Sequence, residues 1–93
     1  MHHFIIEVSK ADVNKEREKS RDLRKSRWWQ NRLALGYCHH CGASFPPKDL
    51  TMDHLVPLSR GGKASRNNVV PACKDCNTRK KYLLPMEWEE SLK

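Results

Sequence analysis

Cys38-His39-His40-Cys41 and Cys73-Lys74-Asp75-Cys76 stand on either side of Thr51-Met52-Asp53-His54-Leu55-Val56-Pro57-Leu58 in a chain of 93 residues. Two Cys-x-x-Cys knuckles supply the four thiolates of a closed tetrahedral zinc site, and such a site is structural because no coordination position is left for chemistry. Any reaction must therefore use the long segment between the knuckles, which holds carboxylate, imidazole, amide and guanidinium groups together. Two disulfides are the minor alternative, since Met1 to Val8 is too short and too soon charged to read as a secretory leader.

A chain of this length forms one domain and buries only about 60–65% of its unfolded surface, so its core is thin. The large anchors amount to two Phe, two Tyr and three Trp. A metal staple is expected to supply what the core lacks. No apolar run approaches the ~18 residues that span a bilayer, and the expected setting is intracellular, with no membrane partner. The net charge of +7 and pI near 9.5 attract polyanions, and nucleic acid is the natural partner. A basic surface kept for solubility, or a ribosome-associated protein, has the same composition.

Upstream, Phe4 to Val8 is a β-prone run suited to an edge strand. His2 and His3 have no assigned role. From Ala11 to Leu35 there is no Pro or Gly, and Gly36 offers a stop, which predicts one long helix capped by Ser9 or Asp12. Its apolar residues, Leu23, Trp28, Trp29, Leu33 and Leu35, crowd the second half, so packing is expected only there, with the tryptophans in the core. From Lys10 to Arg32 there are nine Lys or Arg against four Asp or Glu, a net +5. Arg17, Arg21 and Lys25 form a like-charge row at i, i+4 and i+8, which costs an isolated helix a few tenths of a kcal/mol per pair. Such a row suits an arm lying along phosphates.

Downstream, Ala43 to Leu50 reads as loop, Leu50 to Leu58 as a strand, and Arg60 to Arg66 as a flexible basic turn. Asn68 to Ala72 reads as a returning strand, and Asp75 to Leu84 as a helix that stops before Pro85. The expected class is α+β: a small zinc-stapled domain whose ββα core follows a long basic helix.

Asp53-His54, Asn68 in Asn68-Val69-Val70-Pro71-Ala72-Cys73, and Asn77 in Cys76-Asn77-Thr78-Arg79-Lys80 resemble the HNH endonuclease family and its ββα-metal core. The resemblance covers Tyr37 to Lys81. It divides the chain into an N-terminal extension (1–36), a nuclease core (37–84) and a tail (85–93). It implies a bacterial or phage enzyme that nicks or cleaves double-stranded DNA and leaves 5′-phosphate and 3′-hydroxyl ends. A non-catalytic zinc module that binds nucleic acid is the alternative.

The resemblance assigns His54 as general base, Asp53 and Asn77 as ligands of the catalytic cation, and Asn68 as the residue that fixes the base across the loop. Cys38, Cys41, Cys73 and Cys76 hold the structural Zn²⁺. Neighbours on a regular strand face opposite sides, so Asp53 and His54 can share a phosphate only if the strand bends or ends there. Family members often carry His at the last motif position, and some add another one turn on. Here Asn77 and Lys81 stand there, and oxygen donors favour Mg²⁺, with Mn²⁺ able to substitute. Arg60, Lys63, Arg66, Arg79, Lys80 and Lys81 are expected to contact DNA phosphates alongside Arg17, Arg21 and Lys25. Such contacts place the backbone without reading sequence. His39 and His40 are passed over as zinc ligands because four thiolates are already present.

Overall fold

The fold is that of a computed structural model describing residues 8–92. The strand expected at Phe4 to Val8 lies outside these residues apart from Val8. Ser9 caps the first helix, α1 (Lys10–Lys25), by accepting the Asp12 amide at 3.1 Å. The single long helix expected to reach Leu35 is broken at Ser26. This residue is extended (φ −71°, ψ 150°), donates its hydroxyl to the Leu23 carbonyl, and accepts the Trp29 amide. One serine thus ends α1 and opens α2 (Arg27–Ala34), and the change of direction seats Trp29 in the core against Met52 and Val69.

Packing along α1 also departs from expectation. Its first half is anchored by polar groups: Glu16 is buried, and its Oε1 accepts the Ala64 amide at 2.9 Å. That amide holds the Glu16 carboxyl below its ordinary range, against the opposing effect of burial. Ser20, 1% exposed, faces His54.

Two strands, β1 (Leu50–His54) and β2 (Val69–Cys73), pair antiparallel from Leu50 opposite Cys73 to His54 opposite Val69. The first strand stops four residues short of the expected Leu58, because the ladder closes at Asn68, the register partner of Leu55: the Asn68 amide turns away to the Ser65 carbonyl (2.9 Å), and its side chain takes the next amide of the first strand. The Leu55 amide donates to the Asn68 carbonyl (2.8 Å) and the Val56 amide to Asn68 Oδ1 (2.9 Å). A 3₁₀ turn, Leu58–Arg60, follows Pro57. The basic turn beyond it is closely held. A Cβ on Gly62 would lie 1.8 Å from the Val56 carbonyl oxygen, so only glycine fits there.

Cys73 caps α3 (Lys74–Lys80), its sulfur accepting the Cys76 amide at 3.4 Å. This helix ends at Lys80, short of the expected Leu84, where Lys81 adopts φ 47°. The tail is helical too: Pro85 opens α4 (Pro85–Ser91), Glu87 accepts the Leu84 amide, and Trp88 is buried. The core is two small clusters, one of Cys38, Leu50, Ala72, Cys73 and Cys76, the other of Trp29, Met52 and Val69, with Leu33 packed on both. The protein is therefore a small α+β fold in which a long basic helix precedes a ββα unit carrying a four-cysteine cluster. Among the described residues no helix is long and apolar enough to cross a membrane.

Candidate active site

The sulfurs of Cys38, Cys41, Cys73 and Cys76 lie within 4.8 Å of one another. Tetrahedral zinc, with bonds near 2.3 Å, places its sulfurs about 3.8 Å apart, so zinc fits this cluster. Gly42 (φ 73°) turns the first knuckle back so that its amide meets the Cys38 carbonyl, and the His39 amide ties that knuckle to the Pro71 carbonyl on β2. Burial raises the Cys38 thiol, yet the amides of Cys41, Cys73 and His40 outweigh it and bring it down to about 6. Cys76 is pushed up to about 12 by burial and by its sulfur neighbours. Zinc is bound by thiolates, so its uptake here would release whatever protons the cluster still holds.

Adjacent to this cluster, Asp53, His54 and Asn77 line one cleft of about 190 Å³, together with Arg17 and Lys81. β1 ends at His54, which allows the two neighbours to serve the same space. Asp53 is 4% exposed: His40 Nε2 lies 2.6 Å from its Oδ2, and Lys80 Nζ lies 3.5 Å from its Oδ1. Asn77 sits in the first turns of α3, and its Nδ2 donates to Thr51 Oγ1 at 2.9 Å. Thr51 spends its only hydroxyl proton on the Ala72 carbonyl, so it can only accept from Asn77. The amide is thereby oriented, leaving Oδ1, the donor atom a cation needs, without a partner among the described residues. A carboxylate, an amide oxygen and room for water suit a hard divalent cation such as Mg²⁺.

Burial, followed by the positive charge of Arg24, keeps the His54 imidazole below its ordinary pKa range, outweighing the opposing pull of Asp53. The ring is thus unprotonated at neutral pH. Its Nε2 lies 2.8 Å from Ser20 Oγ. Asn68 clamps the loop beside it, accepting from the Val56 amide and donating to the carbonyls of Val56 (3.1 Å) and Lys63 (2.8 Å).

His54 also lines a groove of about 660 Å³ against α1, whose walls include Arg17, Arg21, Arg24 and Glu18. Of the expected phosphate contacts, Arg17 and Arg21 border this groove, Lys81 borders the cleft, and Lys25 and Lys63 are exposed elsewhere. Three others are already engaged: Arg60 with Glu87 (2.5 Å), Arg79 with Asp75 (3.7 Å) and the Cys76 sulfur (3.8 Å), and Arg66 over the Trp28 ring (5.3 Å). Lys80 departs from expectation most. It is 1% exposed and donates to the His54 carbonyl at 3.0 Å, which places it inside the site and away from a docking surface.

Sequence reasoning missed Ser20, Arg24, His40 and Trp88. Arg24 continues the basic run of α1, a signal that was legible. The other three carry no local signal, because their partners are 34, 13 and 48 residues away.

Residues 38–82 match the HNH endonuclease family. That segment is similar to an HNH endonuclease domain. No curated protein matches the chain. The HNH match runs from the first knuckle cysteine to Tyr82 and contains Asp53, His54, Asn68, Asn77 and all four cysteines; it supports a nuclease or nucleic-acid-related function. Ser20, Arg24 and Trp88 lie outside the HNH segment, on flanking helices that pack against it.

Proposed function

We propose that the protein is a metal-dependent DNA endonuclease. The observation that carries this reading is the meeting of Asp53, His54 and Asn77 in one cleft at the mouth of the basic groove under α1. His54 takes a proton from the attacking water, and its depressed basicity keeps it ready to do so. Asp53 and Asn77 would hold one Mg²⁺, replaceable by Mn²⁺, which when bound supplies charge neutralisation at the phosphate and the departing 3′-oxygen. Asn68 keeps the Val56 loop closed over β1 so that His54 stays at the cleft. Lys81 and Arg17 border the same space and are placed to meet a phosphate there.

The substrate in this reading is duplex DNA in an intracellular setting, with residues 37–84 as the catalytic core and the flanks 1–36 and 85–93 lending it side chains. Incubation of supercoiled plasmid with zinc-loaded protein tests it. Open circles should form with Mg²⁺ or Mn²⁺, and not when zinc is the only divalent ion. No nicking under any of these conditions would overturn the enzyme reading.

The groove makes a separate prediction. Arg17→Gln, Arg21→Gln and Arg24→Gln should weaken binding to unrelated duplexes equally, and removing each phosphate-bound guanidinium should lower the log–log salt slope by about 0.9. Fluorescence anisotropy across a salt series measures this, and an unchanged slope in the triple variant would remove the groove as the DNA track. Ser20→Ala should lower kcat about 3- to 10-fold, the worth of one hydrogen bond, with duplex affinity unchanged and Ser20→Thr close to wild type. Equal kcat in Ser20→Ala and wild type would deny the hydroxyl any part in holding His54.

A further inference from the structure

The indole nitrogen of Trp88, on α4, lies 3.2 Å from His40 Nδ1, and the other nitrogen of that ring lies 2.6 Å from Asp53 Oδ2. Indole N–H can only donate. Nδ1 of His40 must therefore offer its lone pair to Trp88, and the imidazole proton is left on Nε2, where it is donated to Asp53. The chain of donors runs one way, from Trp88 through His40 to the carboxylate. The reverse tautomer would set two N–H groups against each other at Nδ1 and two lone pairs against each other at Asp53. His40 and Trp88 also pack edge to face, with ring centroids 5.5 Å apart and planes at 77°, so the imidazole is held by shape as well.

We infer that His40, locked in one tautomer by Trp88, is a positioning residue that orients Asp53 toward the catalytic cation. The inference rests on Asp53 as a ligand of that cation. Orientation matters here because Lys80 Nζ lies 3.5 Å from Asp53 Oδ1 and competes for the carboxylate. Without a second anchor the side chain would turn toward the ammonium and withdraw its lone pairs from the cleft. His40 holds Oδ2 on the opposite side, with a side chain only 6% exposed against 5% for Asp53. Hydrogen bonds that orient a ligating side chain in this manner are commonly worth 10- to 100-fold in metal affinity. Trp88 lies beyond the family-matched segment, so this chain's own C-terminal helix supports the site.

The test uses the zinc-loaded 93-residue chain with Mn²⁺ as the probe. Long-range ¹H–¹⁵N spectra before Mn²⁺ addition should show His40 Nδ1 bare and Nε2 protonated; a proton on Nδ1 overturns the inference from the wild-type protein alone, whatever the variants do. Mn²⁺ binding followed by electron paramagnetic resonance should then weaken about 10- to 100-fold in Trp88→Phe and His40→Phe. His40→Gln keeps an N–H donor and should recover most of the affinity. Asp53→Ala should abolish specific binding. Loss of binding in Asp53→Ala with wild-type affinity in Trp88→Phe and His40→Phe would sink the positioning role. Unchanged binding in Asp53→Ala would instead sink the ligand assignment beneath it.

Discussion

His54→Ala is expected to remove plasmid nicking, with a fall in kcat of about 10²–10⁴, the range for losing a positioned general base. The structure makes this substitution a clean one. Only the imidazole is lost, and its hydrogen bond goes to Ser20. The backbone carbonyl of His54, which accepts from the buried Lys80, is kept by alanine, as is the pairing of residue 54 with Val69. Melting temperature and zinc content should therefore remain close to wild type. Duplex affinity should also persist, because Arg17, Arg21 and Arg24 still border the groove. Undiminished nicking by a folded, DNA-binding His54→Ala protein would end the assignment of this histidine as base. Loss of nicking together with DNA binding would point instead to a fold defect and leave the assignment unsupported, so binding is measured on the same preparation.

Local chemistry and order along the chain are legible in the residues themselves. Cys-x-x-Cys spacing, the Asp-His pair and the two asparagines are properties of neighbouring residues, and the structure places them in one ββα unit. Ser26 shows the limit. Serine is tolerated inside a helix and favoured at its start, and only the demand that Trp29 reach Met52 and Val69 selects the second role. Glu16 and Ser20 show another. A search for apolar periodicity ignores polar residues, yet these two fasten α1 to the core through Ala64 and His54. Lys80 reads as a surface cation because lysine is almost always exposed; its burial requires Asp53 and the His54 carbonyl, both supplied by β1. In each of these cases tertiary pairing decides what local preference leaves open.

Zinc removal is expected to unfold the protein, and Cys73→Ser should do the same. Cys38, Cys73 and Cys76 are three of the five residues of one core cluster, so the proposed metal ligands and the hydrophobic core are largely the same side chains. Structural zinc contributes on the order of 10–16 kcal/mol of apparent binding free energy, against a total stability of about 5–15 kcal/mol for a typical domain. A thin core of this kind has no reserve to cover that loss. Cys73 has three tasks in this reading: it ends β2 opposite Leu50, caps α3 through the Cys76 amide, and would donate a thiolate to the zinc. Its loss disturbs the helix that carries Asn77, so nicking should disappear along with zinc. Cys41 is exposed and lies outside both core clusters, and Cys41→Ser should melt at a lower temperature than wild type while remaining the milder lesion. Atomic absorption should return one zinc per wild-type chain and less than a tenth of that for Cys73→Ser, whose circular dichroism melt should lose its cooperative transition. A zinc-free chain that melts cooperatively near the wild-type temperature would show that the four thiolates do not hold this fold together.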